Sequence, residues 1–202
     1  MKKTLDYYFS VASPWTYLGH ARLAALAKLH SINVNFYPVD FSLVLDATGG
    51  TLYQHRSEQR KQYRQVDLAR WQRRLGIPLT LEPRYYPVDR GPASFVMIAA
   101  RLLPQDDRFA ILQAILKGIW HDEQNIADWD FLKKVLDELG LNSPAILASA
   151  QSQETTAQHT RDSRRAIEAG VFGVPSYVVD GEIFWGQDRL DFLEERLAET
   201  GH

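Results

Sequence analysis

Two short segments near opposite ends of the chain carry residues whose types and spacing suit the binding of an anion. Asp6-Tyr7-Tyr8-Phe9-Ser10-Val11 is aromatic and β-branched and reads as a strand, and Ser13-Pro14-Trp15-Thr16 follows it. Ser13 then stands at an N-cap position, with Pro14 at the first helical position, where its missing N–H costs nothing. Leu18, Ala21, Ala25, Leu26 and Leu29 follow at helical spacing and predict one apolar stripe through His30. A hydroxyl at a helix N-terminus lies among unpaired N–H groups at the positive end of the dipole, a setting for an anion. Taken alone, the same serine reads as a simple cap.

The second segment is Gly173-Val174-Pro175-Ser176-Tyr177-Val178-Val179-Asp180-Gly181. Ser176–Val179 and Glu182–Gly186 flank Asp180-Gly181 and predict a β-hairpin with an Asp-Gly turn. A proline is tolerated where Pro175 stands, at the entry of a strand. Only about 5–6% of X-Pro bonds are cis, so base rates alone favour a trans proline at an edge strand. A cis Val174-Pro175 bond would instead turn the Val174 N–H and C=O outward, toward an extended peptide ligand. The chain contains Cys 0. Disulfide exchange by the protein itself is therefore excluded, since it requires a protein thiolate, and any thiol must arrive with a ligand.

Ser13-Pro14-Trp15-Thr16-Tyr17-Leu18, Phe172-Gly173-Val174-Pro175 and Phe184-Trp185-Gly186-Gln187-Asp188-Arg189-Leu190 resemble the 2-hydroxychromene-2-carboxylate isomerases. That family stands with the kappa-class glutathione transferases in the disulfide-bond-protein-A-like branch of the thioredoxin fold. The resemblance spans the chain, through Val66-Asp67-Leu68-Ala69-Arg70-Trp71 and Gly76-Ile77-Pro78. It implies an α/β, thioredoxin-like fold with a large all-helical insertion between an N-terminal βαβ and a C-terminal ββα unit. It also implies a cis Val174-Pro175 bond, bound glutathione and a homodimer. In this reading residues 1–40 and 171–202 form the discontinuous thioredoxin-like domain and residues 41–170 the inserted helical domain.

Composition fits such a chain. A length of 202 residues can bury a substantial core, and 45% hydrophobic residues is ordinary for a globular protein. Net charge is −2 with 24% charged residues, so no basic field favours nucleic acid or an anionic membrane. Met1-Lys2-Lys3-Thr4-Leu5-Asp6 makes a poor signal peptide and no stretch approaches transmembrane length. The cytosol is the default location, and glutathione is abundant and reduced there.

Between the two ends the signals are almost all helical. Asn33–Val39 alternates as a second strand. Phe95, Ile98, Ala99 and Leu102 mark one helix, and Phe109, Leu112, Ile115, Leu116 and Ile119 another. Asp128 caps a third, with Trp129, Leu132, Val135, Leu136 and Leu139 on one face and Gly140 at its end. Leu190, Leu193 and Leu197 belong to a terminal helix starting at Asp188. Asp46–Arg56 and Glu82–Pro92 are loops suited to forming substrate walls or plain connections, the first leading into a strongly basic, polar helix. His121-Asp122-Glu123 does not make a metal site, because adjacent side chains on one element are expected to diverge. No Gly-x-Ser-x-Gly elbow surrounds Ser13, so no serine-hydrolase triad is expected.

By this resemblance Ser13 is the catalytic residue and hydrogen-bonds the glutathione sulfur. Val174 and Pro175 pair with its cysteinyl unit, and Gln187 and Asp188 hold its γ-glutamyl end. A carboxylate at Asp188 suits an α-ammonium. Trp15, His55, Arg56 and Tyr85 are the expected contacts for a small electrophilic substrate or conjugated aromatic acid. Isomerases of this family carry a lysine after the second strand, suited to the substrate carboxylate. Val39–Leu45 has no basic residue here, and His55 and Arg56 are the candidates to replace it. The expected activity is glutathione-dependent isomerisation. The alternatives are a kappa-class-like glutathione transferase, which keeps the thiolate on its product, and a non-catalytic thioredoxin-like module that grips peptides through Val174.

Overall fold

A computed structural model describes residues 3–199. Four strands form one sheet in the order β2-β1-β3-β4: β1 (Thr4–Phe9), β2 (Asn33–Pro38), β3 (Ser176–Val179) and β4 (Glu182–Trp185). β1 pairs parallel with β2, in register from Thr4↔Asn33 to Phe9↔Pro38, and antiparallel with β3. β3 and β4 form the expected hairpin, with positive φ at both Asp180 (51°) and Gly181 (83°). β1 begins and ends two residues before the run expected of it, which leaves Ser10–Ala12 as the turn into the next helix.

The helices are α1 (Pro14–Leu29), α2 (Phe41–Thr48), α3 (Glu58–Leu75), α4 (Gly91–Ala99) and α5 (Gln105–Trp120), followed by α6 (Trp129–Glu138), α7 (Ser143–Ala150) and α8 (Gln153–Glu168), with α9 (Leu190–Glu199) after the hairpin. Asp40, Ser57, Asp128, Asn142 and Ser152 each accept a first-turn amide as N-caps. This is the α/β, thioredoxin-like architecture with helices inserted between its N-terminal and C-terminal units. The Asp46–Arg56 segment is less of a loop than expected, because α2 runs to Thr48 and Tyr53–His55 forms a 3₁₀ turn. A similar 3₁₀ turn, Gln187–Arg189, precedes α9 where a helix was expected from Asp188. No helix among the described residues is long and apolar enough to cross a membrane.

Strand alternation divides the core. Leu5, Tyr7 and Phe9 face α1 and α5, while Tyr8 faces α2 and α8 with Val44, Ala166 and Val171. On the first side Tyr7 stacks on Tyr177 at 5.4 Å and lies 4.7 Å from Phe9 and 5.8 Å from Phe36. Aromatic pairs of this kind are worth about 0.5–1.5 kcal/mol each beyond the area they bury.

α1 departs from the stripe expected of it. Leu18 is buried, but Ala21 and Ala25 are exposed and Leu29 is 69% exposed. The first two turns are enclosed instead, with Thr16, Tyr17, Leu18, Gly19 and His20 all buried. Beyond them burial continues on a single face through Leu23 and Ala27, spaced with Thr16 and His20 at helical intervals. The expected α4 stripe also shifts: Val96, Met97 and Ile98 are buried, while Leu102 lies 96% exposed in the following turn. The α5 apolar positions Phe109, Leu112, Ile115, Leu116 and Ile119 are all buried, as are Leu132, Val135 and Leu136 of α6.

His20 shows what this enclosure costs a polar side chain. It is 1% exposed, its Nε2 lies 2.9 Å from the Phe109 carbonyl oxygen, and its Nδ1 has no partner among the described residues. The carbonyl accepts, so Nε2 carries the proton of the neutral ring. Burial pushes the pKa down to about 4, and the Phe109 bond only partly opposes this. The unfolded chain, with an ordinary pKa of about 6.5, binds this proton more readily than the fold does. Stability from His20 is therefore complete above about pH 6.5 and is lost as pH falls toward 4. Between pH 7 and pH 5 the loss is about 2 kcal/mol. His20→Gln removes this titration, so denaturant-unfolding free energies of wild type and variant should converge by that amount over the interval. Parallel pH profiles would contradict the assignment.

Candidate active site

Ser13 lies where β1, in the middle of the sheet, hands the chain to α1. It is 8% exposed, and its Oγ accepts from the Thr16 amide at 3.2 Å, as a cap does. The hydroxyl hydrogen remains free to donate. The Trp15 amide has no hydrogen-bond acceptor among the described residues, and Pro14 has no amide to satisfy. Two donors and the positive end of the α1 dipole therefore converge at Ser13.

The Gly173–Pro175 segment stands beside it at the entry to β3. The Val174-Pro175 peptide is cis, in line with the motif, and a second cis peptide at Tyr86-Pro87 has no counterpart in the sequence reading. The Val174 N–H and C=O take no hydrogen bond among the described residues, whereas the Pro175 carbonyl accepts from Gly186 at 2.9 Å. Val174 thus offers one amide donor and one acceptor to an extended peptide.

A close approach brings the C-terminal loop to the same place. A Cβ on Gly19 would lie 2.8 Å from Gln187 Cβ and 2.9 Å from Tyr177 Oη, so only glycine lets α1 and the Gln187–Arg189 turn touch. Gly186, at φ 104°, holds a conformation that L side chains rarely adopt, and that bend brings the Asp188 carboxylate back over it.

These segments border a cavity of about 1140 Å³, with Ser13, Trp15, Val174, Gln187 and Asp188 on its wall. Of the expected substrate contacts, Arg56 also lines it, its Nε donating to the Thr51 carbonyl at 3.0 Å. His55 and Tyr85 do not line it. Both are exposed, and their neighbours Tyr53 and Tyr86 supply the wall in their place. Pro175 is buried behind Val174 rather than on the wall. Gln187 is 2% exposed and holds Arg22 through its carbonyl oxygen at 3.1 Å, so much of its role is to fasten the turn to α1.

Two wall residues of α3 escaped the sequence reading. Asp67 lies within electrostatic reach of Asp188: burial pushes its carboxyl up, Arg70 opposes this, and the Asp188 charge adds to the rise. Paired carboxylates favour a cation between them. Asp188 meanwhile pairs with its neighbour Arg189 at 2.8 Å. The other is Arg64, buried among Tyr53, Tyr86 and Trp120. Arg60 and Arg90 add further positive charge to the wall, and Trp71, Phe172 and Trp185 add flat apolar surface.

His121 and Asp122, expected to diverge, meet instead, with Nδ1 and Oδ1 2.5 Å apart and Lys117 on the same carboxylate. Burial pushes the Asp122 carboxyl up, and the Lys117 and His121 contacts together bring it below its ordinary value. Among the described residues no cluster of three or more His, Cys, Asp or Glu side chains is placed to hold a metal ion.

Comparison with known proteins identifies the family. Residues 4–198 match the model of the DSBA-like thioredoxin domain. The chain is 30% identical over 200 residues to 2-hydroxychromene-2-carboxylate isomerase of Sphingobium xenophagum, covering 98% of this chain and 100% of that protein. It is 30% identical over 196 residues to the protein of the same name from Pseudomonas putida, covering 96% and 94%. The solved structure of a selenomethionine 2-hydroxychromene-2-carboxylate isomerase superposes with a TM-score of 0.85 at 26% identity, over 97% of this chain and 95% of that one. By sequence and by fold, the chain belongs to the DSBA-like thioredoxin domain family and, within it, stands with the 2-hydroxychromene-2-carboxylate isomerases.

Proposed function

We propose that the protein is a glutathione-dependent isomerase of the 2-hydroxychromene-2-carboxylate isomerase type, acting on a conjugated aromatic acid. One observation carries the reading: a Ser13 hydroxyl free to donate at the open N-terminus of α1, on the wall of a large cavity, in a chain without cysteine. Such a site favours a thiolate that a ligand brings. The relatives at 30% identity over nearly the whole chain give the reaction type.

The residues present fit the tripeptide. Val174 would pair with its peptide backbone, Asp67 and Asp188 would flank its α-ammonium, and Ser13 would hold its sulfur. Glutathione held there would supply a thiolate nucleophile for reversible addition to the conjugated carbon of the substrate, and it would be regenerated rather than consumed. The protein's part is to stabilise the anion. A free thiol of pKa about 8.5 is only about 3% ionised at pH 7. Lowering that pKa by about 2 units requires about 2.7 kcal/mol of preference for the anion. A partly buried helix dipole supplies up to about 2 kcal/mol, and a charge-assisted hydrogen bond from Ser13 about 1.5–3 kcal/mol. Together they suffice. Trp15, Tyr53 and Tyr86 present ring surface to a flat acid, and the wall arginines favour its negative charge.

Glutathione at about 100 times its dissociation constant should stabilise the fold by about 2.7 kcal/mol. An unchanged melting temperature in millimolar glutathione would remove the cofactor from the account. Asp188→Asn, at an exposed position, should leave the fold intact and weaken glutathione binding about 10–100-fold, the worth of a charge-assisted hydrogen bond. Equal calorimetric affinities for wild type and variant would refute the ammonium site. Ser13→Ala should cost the fold about 1 kcal/mol through the lost cap while cutting turnover about 10–100-fold. A variant with wild-type turnover would reduce Ser13 to a cap. The reaction itself is tested with substoichiometric glutathione. An isomerase converts many equivalents of 2-hydroxychromene-2-carboxylate and leaves the free-thiol titre unchanged, whereas loss of thiol in step with substrate marks a transferase.

A further inference from the structure

α3 is a strongly polar helix with two buried residues, Arg64 and Leu68, four positions apart on one face. Arg64 is 8% exposed and lies on the cavity wall. Its guanidinium carbon is 4.6 Å from the Tyr53 ring centroid, 5.5 Å from that of Tyr86 and 5.8 Å from that of Trp120. No carboxylate pairs with it among the described residues. Burial lowers its pKa from the ordinary value, and Arg56, a second cation, adds to that lowering. Tyr53 gives the group some hydrogen-bond support, yet Nη2 is buried with no partner.

A buried guanidinium without a counterion is costly, and an N–H without an acceptor adds to that cost. Contact with ring faces offsets part of it but offers no lone pair to an N–H. The other wall arginines differ. Arg56 donates to the Thr51 carbonyl at 3.0 Å, Arg90 donates to Ser42 Oγ at 2.8 Å, Arg189 pairs with Asp188 at 2.8 Å, and Arg60 is exposed. Among the arginines that line the cavity, only Arg64 joins burial, an Nη2 without a partner and flanking rings. What it lacks is a planar oxyanion, and a guanidinium matches a carboxylate better than any other side chain does. The rings beside it suit a flat conjugated framework.

We propose that Arg64 is the residue that selects the acid, receiving on its guanidinium the carboxylate of a flat aromatic or conjugated acid that packs against Tyr53 and Tyr86. This rests on reading the cavity as that of an isomerase of aromatic acids. It assigns the substrate's charge to α3, a separate part of the wall from the Ser13 and Val174 segments.

Cinnamate and its uncharged amide, cinnamamide, serve as probes. Wild type should bind cinnamate at least 10-fold more tightly than cinnamamide by titration calorimetry. Arg64→Met, which keeps length and ring contact, should abolish that preference, and Arg64→Lys should restore part of it. With 2-hydroxychromene-2-carboxylate, Arg64→Met should raise KM about 10–100-fold with a smaller change in kcat. Its glutathione affinity should stay within about threefold of wild type. No cinnamate binding by wild type at millimolar concentration, or an undiminished preference in Arg64→Met, would overturn the assignment. Should Arg64→Met fail to fold, a crystal of wild type soaked with cinnamate decides: the carboxylate on the Arg64 guanidinium supports the proposal, and any other position overturns it. Arg64-dependent binding without isomerisation would refute the proposed reaction and leave this assignment standing. Isomerisation with unchanged KM in Arg64→Met would do the reverse.

Discussion

The first turn of α1 is held in place by β1, which pairs with β2 on one side and β3 on the other. That double pairing fixes Ser13 at the sheet's centre and, through β3, brings Val174 to it from a position more than 150 residues away in sequence. The turn before α9 is then fastened to α1 where Gly19 permits contact and Arg22 binds the Gln187 carbonyl. Strand register therefore sets the geometry of the site. A one-residue slip of β1 would exchange its two faces and send Tyr7 and Phe9 away from α1.

This arrangement leaves backbone and hydroxyl donors open where most folds would close them. The Trp15 amide, the Ser13 hydroxyl hydrogen and both polar groups of Val174 take no partner among the described residues, and all three residues line the cavity. The inserted helices complete the wall with charge of both signs, Asp67 and Arg64 both coming from α3. Unpaired polar groups cost stability, and the Tyr7 and Tyr177 hydroxyls, buried without partners among the described residues, add to that cost. Binding and folding are thus in tension at the same site.

Much of this was legible in the sequence because it rests on local chemistry. Ser13-Pro14 is a helix start, Asp180-Gly181 is a hairpin turn, and the α5 and α6 apolar periodicity is regular. Three features were not legible. The buried face of α1 runs through Thr16, His20, Leu23 and Ala27 while Leu29 is exposed, so two polar residues stand on it and the apolar spacing of Leu18, Ala25 and Leu29 points elsewhere. α3 is so polar that its inward face reads as solvated; the sole hint was Arg64, Leu68 and Trp71 at helical spacing. In the two wall loops a shift of one or two residues decides which aromatic faces inward. Backbone turns chose Tyr53 and Tyr86 over His55 and Tyr85, and composition does not encode that choice.

The central claim is that the open first turn of α1 and the Ser13 hydroxyl together stabilise a thiolate. Ultraviolet absorbance of the thiolate, followed against pH in the glutathione complex, measures this directly. The account predicts ionisation about 2 units below that of a free thiol in wild type, moving upward in Ser13→Ala as the hydrogen bond is lost. Bound glutathione that titrates like the free thiol, or at the same pH in both proteins, would contradict it.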